Sequence, residues 1–402
     1  MDRMIHNNRA PGSYMDAFKF DDCIECGECL HSCKYMNLNL DDSIEGIRKL
    51  LQGVDCDPYL NQCVFCAQCN TDCPVEARPA ALMLERLRDR RKARRDIPEF
   101  FAYYLHGLEK LGRTENYFTD IYLASDENTR KIIDQWAEPK QGPDILWCGC
   151  GNRINPKNIE YSKILADLPK FGGIGDCCGV NAAKTGLYDT ARHITDNLIT
   201  RLSQSSFKRL VVSCGSCQEH FSVLWPEYFG SKFPFELISL YEYIDERMNQ
   251  GEFAVQRKID MTVAFSDACY GHLFGEKYLS AIKRLCEAIG ITTVPLEHRG
   301  ENAACCGVAG FSRNLIADGV LDAMKLKAKD IADSGQDQVL NYCMGCHTLM
   351  SMIYPVKSHY LLDKVLWALG DDMMSSIYIP KTVREKAVMK FKDPARFMLP
   401  LL

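Results

Sequence analysis

Short apolar runs alternate with longer amphipathic stretches along the second half of the chain. Four of the apolar runs lead into a cysteine: DILWC, RLVVSC, MTVAFSDAC and QVLNYC. Their length and β-branched content predict buried strands. The stretches with helical periodicity between them are TGLYDTARHITDNLITRL, LISLYEYIDERM, EKYLSAIKRLCEAIG and NLIADGVLDAMKLKAKDIA. Alternating strands and helices predict an α/β fold with mainly parallel sheets, in which cysteines at the carboxyl ends of strands line the ligand-binding crevice.

The same half of the chain contains an internal repeat of cysteines. Each copy has a lead cysteine, then a Cys-Cys-Gly tripeptide, then Cys-x-x-Cys. The landmarks are Cys150, Cys177, Cys178, Cys214 and Cys217 in copy one, and Cys269, Cys305, Cys306, Cys343 and Cys346 in copy two. The Cys-Cys pairs are 128 residues apart and the Cys-x-x-Cys pairs 129. An offset this constant over several landmarks indicates a tandem duplication.

These patterns divide the chain into four parts. Residues 1–97 hold nine cysteines and a predicted helix over SIEGIRKLLQG, whereas residues 98–142 hold none and predict a helical linker. Residues 143–257 contain copy one, and residues 258–402 contain copy two and a C-terminal tail. The predicted fold class is therefore multi-domain, with an N-terminal α-helical module followed by two tandem α/β domains.

Composition narrows the class of protein. The 402 residues are 47% hydrophobic with a net charge of −5, which suits a globular protein and disfavours a general nucleic-acid binder. No apolar run approaches the roughly 18–20 residues that span a bilayer, and MDRMIHNNRA lacks the apolar stretch of a signal peptide. We therefore expect a cytoplasmic protein, or one held at a membrane only by a partner. The 21 cysteines of such a chain point to metal or redox chemistry rather than to disulfides.

Two four-cysteine runs in the N-terminal part share one spacing. They are Cys23-x-x-Cys26-x-x-Cys29-x-x-x-Cys33 and Cys63-x-x-Cys66-x-x-Cys69-x-x-x-Cys73-Pro74. This is the spacing of bacterial ferredoxins with two cubane [4Fe–4S] clusters, in which the fourth cysteine of each run binds the other cluster. The expected ligands are Cys23, Cys26, Cys29 and Cys73 for cubane I, and Cys63, Cys66, Cys69 and Cys33 for cubane II. Structural zinc suits Cys-x-x-Cys pairs but does not explain two identical runs.

Five cysteines in each copy of the repeat exceed what one cubane or one zinc ion requires. Adjacent cysteines do not easily bind one small tetrahedral ion, but they can bind different irons of a larger, opened cluster. The spacing resembles the signature of the CCG domain of heterodisulfide reductase, and copy two fits it fully, with 35 residues between Cys269 and Cys305. In copy one only 26 residues separate Cys150 from Cys177, and Cys148 is an alternative lead. We favour Cys150 because its context, a predicted strand followed by Gly-Cys, resembles that of the family.

A ferredoxin-like module followed by two CCG domains on one chain resembles the D subunit of heterodisulfide reductase, in which separate C and B subunits look fused. The resemblance extends from about residue 18 to residue 370. It implies a noncubane [4Fe–4S] cluster on the five landmark cysteines of each copy, with the two clusters facing each other across a pseudo-two-fold axis. It also implies that a disulfide, such as that of coenzyme M and coenzyme B, is cleaved between them. Zinc in copy one remains an alternative.

Two functions follow from this resemblance. The first is a catalytic subunit in which the cubanes feed electrons to the noncubane clusters, where a small thiol disulfide is reduced or formed. The second is an electron-transfer subunit of a larger flavin- or quinone-linked complex, without a substrate of its own. Since the chain has no G-x-G-x-x-G nucleotide fingerprint in a strand–helix context, we expect electrons to enter from another subunit, either a flavoprotein or a membrane b-type cytochrome.

Several charged residues near the landmark cysteines are weaker candidates. Lys184 and Arg192 offer cations for an anionic thiol substrate, and plain surface residues are the competing interpretation. His272 and His347 are candidate proton donors or ordinary hydrogen-bonded histidines. The arginine-rich stretch RPAALMLERLRDRRKARRD predicts either a solvated helix face or a docking surface for an acidic electron partner.

Overall fold

The computed structural model describes residues 12–94, 96–98, 103, 116–308, 318–372, 381–383, 385–386 and 398–400. The strands are β1 Asp96–Pro98, β2 Asp144–Trp147, β3 Lys170–Phe171, β4 Arg209–Val212, β5 Glu236–Ser239, β6 Met261–Ser266, β7 Ile291–Pro295, β8 Gln338–Asn341, β9 Lys357–Tyr360 and β10 Met398–Pro400. They form two parallel four-stranded sheets, ordered β3-β2-β4-β5 and β7-β6-β8-β9, and an antiparallel pair of β1 with β10. The same strand order in both sheets matches the sequence repeat.

The four strands predicted to precede cysteines are confirmed as β2, β4, β6 and β8. They are the central strands of the two sheets, and both central pairs are parallel. The outer strands were not predicted. The stretch LISLYEYIDERM, predicted as one helix, begins as β5, because Ser239 caps the following helix by accepting the N–H of Glu242 while Glu242 accepts the N–H of Ser239.

Helices fill the rest of the described chain. In the N-terminal module they are α1 Glu28–His31, α2 Leu40–Gln52, α3 Asp57–Gln62, α4 Gln68–Thr71 and α5 Pro79–Arg94, followed by α6 Tyr117–Ala124 and α7 Glu127–Trp136. Around the first sheet they are α8 Cys150–Ile154, α9 Pro156–Glu160, α10 Val180–Ala183, α11 Tyr188–Leu202, α12 Gly215–Glu219, α13 Trp225–Tyr228 and α14 Leu240–Asn249. Around the second sheet they are α15 Gly275–Ile289, α16 Asp318–Asp333, α17 Met344–Ile353 and α18 Leu361–Leu369.

The predicted helix in the N-terminal module is confirmed as α2. It begins where the Asn39 side chain accepts the N–H of Asp42, and it ends at Gly53, which has a left-handed φ of 72°. Among the described residues, no helix combines the length and the apolar character needed to cross a bilayer.

Two hydrophobic cores join the parts of the chain. One runs through both copies and includes Ile238 and Ile244 of copy one with Val263 and Leu340 of copy two. The other joins the N-terminal module to copy one, where the Tyr14 hydroxyl donates to the carbonyl of Ala183 over 2.6 Å. The module therefore packs on copy one through apolar contacts, and the two copies share one interior.

The arginine-rich helix α5 is not a simple solvated face. Arg88 and Arg91 are buried. Arg88 forms ion pairs with Glu85 of its own helix and Asp189 of copy one, and Arg90 pairs with Asp57 of α3. Arg88 therefore connects the module to copy one, whereas Arg90 pairs within the module. For the buried Arg88 and Arg91 the prediction of a solvated face is wrong.

Candidate metal sites formed by cysteines

The two four-cysteine runs fold into loops of the same backbone shape. The residues on either side of the second cysteine have left-handed φ angles: 55° and 77° at Glu25 and Gly27, and 53° and 62° at Phe65 and Ala67. For residues other than glycine this conformation is strained by about 1–3 kcal/mol each, so the surrounding structure must hold it. Such alternation turns successive backbone N–H groups to one side, an arrangement found at iron–sulfur sites.

Cysteines of the two N-terminal runs lie near each other. Burial, with a contribution from repulsion by the neighbouring Cys73, raises the pKa of Cys29 to about 12. Burial also raises the pKa of Cys69, whose neighbouring thiols include both Cys29 and Cys33. The division of these cysteines into two crossed sets stays a prediction from the ferredoxin spacing.

The five landmark cysteines of copy one also lie together. Cys150 and Cys214 follow the carboxyl ends of the parallel neighbours β2 and β4. The thiol of Cys178 is in hydrogen-bonding contact with those of Cys177 and Cys217, and Cys217 is in contact with Cys214. Burial raises the pKa of Cys150 to about 11, and the nearby Cys214 adds to the shift.

Copy two repeats this arrangement. Cys269 and Cys343 follow the neighbouring strands β6 and β8. Hydrogen bonds from the Cys269 and Cys306 thiols lower the pKa of Cys305. The Cys346 thiol contacts both Cys306 and Cys343, so the five landmarks again form one set.

The Cys-Cys-Gly turn has the same geometry in both copies. Gly179 and Gly307 have left-handed φ angles of 90° and 97°, which is why glycine stands there. The Gly179 N–H donates to the Sγ of Cys177 over 3.4 Å, and the Gly307 N–H to the Sγ of Cys305 over 3.3 Å. In both copies a backbone N–H therefore points at the sulfur of the first cysteine of the pair.

Cys148 lies apart from the copy-one set. It is fully buried, and its backbone N–H donates to the carbonyl of Phe171 in β3 over 2.7 Å. Burial raises the pKa of its thiol, and the charged neighbours that modify it are led by Lys170 and Arg153 rather than by other cysteines. The geometry therefore favours Cys150 as the lead cysteine.

Side chains of copy two fill hollows in copy one where the two sets approach. The Tyr270 hydroxyl donates to the Sγ of Cys343 over 2.8 Å. A Cβ on Gly215 of copy one would lie 2.7 Å from that hydroxyl, and one on Gly151 would lie 3.4 Å from the Cγ of Met344. Tyr270 and Met344 therefore occupy the space between the copies.

A buried ion pair lies beside this interface. Lys184 Nζ donates to both carboxylate oxygens of Glu219, over 2.7 and 2.6 Å, and the two side chains are 12% and 3% exposed. The ammonium lies 5.6 Å from the centre of the Tyr270 ring. The prediction that Lys184 is a free cation for substrate is therefore wrong. Arg192 likewise donates within the protein, to the carbonyl of Phe229 over 3.2 Å.

The N-terminal module meets copy two through a tyrosine that no motif revealed. The backbone N–H of Cys305 donates to the Tyr35 hydroxyl oxygen over 2.8 Å. Tyr35 and Cys305 belong to one small apolar core, and Cys33 and Cys66 of the second N-terminal set pack against it. The second N-terminal set therefore adjoins the cysteines of copy two.

Replacing Tyr35 with phenylalanine tests this contact. The change leaves the buried Cys305 N–H without its acceptor, at an expected cost of about 1–3 kcal/mol in the free energy of unfolding. Anaerobic urea unfolding measures it. Tyr122→Phe is the control, because its hydroxyl bonds Asp134 on the exposed surface. Equal losses in the two variants would contradict the structural role of Tyr35.

Several buried donors near the cysteines have no acceptor in the described part of the chain. They are Nε and Nη2 of Arg153, Nε1 of Trp147 and Nδ1 of His272. A Cβ on Gly149 would lie 3.2 Å from the Sγ of Cys217 and 3.3 Å from Nε1 of Trp147, so Gly149 lies close to both the indole N–H and a sulfur of the copy-one set. Sulfide ions would supply the missing acceptors, and metal charge would keep these buried thiols ionised. The residues present therefore fit an iron–sulfur cluster.

A cavity of about 360 Å³ opens beside copy two. His347, the residue after Cys346, lies in its wall with Nδ1 2.9 Å from the Ser358 hydroxyl, and burial lowers the pKa of His347 to about 4. Burial raises the pKa of Asp363, in the same wall, to about 6. A small molecule in this cavity would lie close to the copy-two set.

Comparison with known proteins identifies one domain family twice in this chain. Residues 146–222 and 263–351 each match the CCG cysteine-rich domain family. The chain therefore carries two CCG domains, and each contains one of the five-cysteine sets.

The resemblance to the D subunit of heterodisulfide reductase is also confirmed. The D subunit of dihydromethanophenazine:CoB–CoM heterodisulfide reductase from Methanosarcina mazei is 24% identical over 216 residues, which are 50% of this chain and 52% of that protein. The B subunit of fumarate reductase (CoM/CoB) from Methanothermobacter marburgensis is 20% identical over 357 residues, which are 84% of this chain and 68% of that protein. A probable membrane-anchored ferredoxin from Chromohalobacter salexigens is 22% identical over 54% of this chain and 34% of its own length. The chain spans about half the length of the heterodisulfide reductase relatives that it matches.

Proposed function

We propose that this chain is an iron–sulfur oxidoreductase subunit that passes electrons from two cubane clusters in a ferredoxin-like N-terminal module to paired noncubane clusters in the CCG domains. There a small thiol disulfide is reduced, or formed in the reverse direction. The observation that carries the proposal is the continuity of the cysteine sets: Cys66 and Tyr35 adjoin Cys305. The heterodisulfide of coenzymes M and B is the substrate suggested by the names of the heterodisulfide reductase relatives.

The proposed ligands are the four sets described above. Cubane I takes Cys23, Cys26, Cys29 and Cys73, and cubane II takes Cys63, Cys66, Cys69 and Cys33. The noncubane clusters take Cys150, Cys177, Cys178, Cys214 and Cys217 in copy one and Cys269, Cys305, Cys306, Cys343 and Cys346 in copy two. Zinc is the competing occupant of copy one.

The chain's own residues have positioning roles in this scheme. Tyr35 holds the backbone of Cys305, and Tyr270 donates to the Sγ of Cys343. Bound clusters would supply one-electron transfers, and reduction of a disulfide consumes two electrons and two protons to give two thiols.

The electrons must come from outside the chain in this proposal. The donor is another subunit, either a flavoprotein or a membrane b-type cytochrome. The relatives named as subunits of reductases support an assembly of this kind.

A second function is an electron-transfer subunit without its own substrate, within a flavin- or quinone-linked complex. Tyr270 and Met344 favour it, because they occupy the space between the copies where a disulfide would bridge two clusters. The similarity to a probable ferredoxin supports it as well.

Iron analysis and thiol addition separate these functions. Protein purified without oxygen should contain about sixteen irons per chain if all four clusters form. Adding coenzyme M to the oxidised protein should then give a paramagnetic signal from a thiol-bound cluster. About eight irons and no signal with any thiol would favour the second function, and a colourless protein with only zinc would contradict both.

A further inference from the structure

The two CCG domains differ at the third residue after the lead cysteine. This residue is Arg153 in copy one and His272 in copy two, since the leads are Cys150 and Cys269. Both side chains carry buried nitrogen atoms without hydrogen-bond partners in the described chain. The equivalent position of the repeat is therefore an arginine in copy one and a histidine in copy two.

Arg153 places a permanent positive charge near the lead cysteine of copy one, because its guanidinium is among the charges that act on the Cys150 thiol. Its side chain is 2% exposed, and Nη1 donates to the carbonyl of Gly173. Within the described ranges no carboxylate forms an ion pair with it: the neighbouring Asp176 accepts the N–H of Gly173 and pairs with Arg201 over 2.6 Å. Among the described residues, the guanidinium of Arg153 therefore has no ion-pair partner.

Copy two has no permanent charge at the equivalent position, where His272 carries an imidazole. The cation that faces Cys269 and Cys305 is Lys184, and both oxygens of Glu219 accept its hydrogen bonds. The charge of this pair is balanced.

We propose that Arg153 makes copy one the stronger electron acceptor of the two CCG domains. An electron that enters at copy two, where Tyr35 and Cys66 adjoin Cys305, therefore comes to rest at copy one. The electron is lost at the second N-terminal set and gained at copy one, and no bond forms or breaks. The reason is electrostatic, because a positive charge in a buried site stabilises a centre that becomes more negative on reduction. This inference rests on the proposed function, which places a cluster in each copy.

Exchanging the two side chains tests the inference. Anaerobic redox titration of the full-length protein, followed by electron paramagnetic resonance, measures a midpoint for each CCG cluster. Arg153→His should make reduction of the copy-one cluster about tenfold less favourable, which is about 59 mV for a one-electron couple. His272→Arg should raise the copy-two midpoint by a similar amount, and Arg153→Lys, which keeps the charge, should leave the copy-one midpoint near that of the unchanged protein.

The outcomes separate this inference from the proposed function. Unchanged midpoints in both exchange variants, with full iron content, would overturn the role of Arg153 alone. Zinc in copy one of the unchanged protein, shown by metal analysis, would overturn the paired-cluster function together with the inference. If Arg153→His does not assemble, an unmoved midpoint in His272→Arg is sufficient to reject the electrostatic argument.

Discussion

Replacing Cys305 with alanine is expected to remove the cluster of copy two and to leave both N-terminal clusters in place. Cys305 contacts the thiols of Cys269 and Cys306, and its Sγ accepts the N–H of Gly307. Replacing Cys305 removes one thiol from the copy-two cysteine set, at the position that the N-terminal module contacts through Tyr35. Iron content should fall from about sixteen to about twelve per chain, and the thiol-dependent signal should disappear.

Cys286→Ala is the matched control for this variant. Cys286 is buried in α15 of the same domain but lies outside the cysteine set. Its replacement should leave the iron content and the thiol-dependent signal unchanged. Full iron in Cys305→Ala, or equal loss in both variants, would contradict the proposed ligand set of copy two.

Replacing Lys184 with methionine is expected to destabilise the protein by about 3–5 kcal/mol, because it leaves a buried carboxylate without its partner. Glu219 is 3% exposed, and both of its oxygens accept hydrogen bonds from Lys184. Anaerobic urea unfolding of the cluster-loaded protein measures the loss. Removing both charges, in Lys184→Met/Glu219→Met, should recover most of it.

A surface ion pair provides the comparison. Lys325 and Asp322 lie 3.5 Å apart with exposed side chains, and such pairs contribute about 0–1 kcal/mol. Lys325→Met should therefore change the free energy of unfolding very little. A loss of that small size in Lys184→Met would show that Glu219 finds another partner or is not buried.

The sequence predicted the parts of the molecule that depend on local pattern and spacing. The central strands could be predicted because each of them is a short apolar run with β-branched residues that ends near a cysteine. The outer strands could not, since runs as short as Lys170–Phe171 carry no periodicity. The helix predicted over LISLYEYIDERM begins later in the structure, at Leu240. The apolar residues before the capping box at Ser239 suit a helix as well as a strand, so their pattern did not show where α14 begins.

The contacts between parts of the chain had no sequence signal. Tyr35 and Cys305 are 270 positions apart, and nothing near Tyr35 marks it as a partner of the repeat. Lys184 follows the end of α10 and Glu219 is the last residue of α12, and only the folded structure shows that the two side chains form an ion pair. The unpaired nitrogen atoms of Arg153 became visible only once the burial of its side chain was known.

The hydrophobic core that runs through both CCG domains makes them a single cooperative unit of unfolding. Ile244 of copy one and Val263 of copy two are fully buried in that core, so separating the copies would expose apolar surface on both. A fragment limited to residues 143–257 would lack the part of this core that copy two supplies. The two copies are therefore expected to unfold together, so that damage to either copy lowers the melting temperature of both.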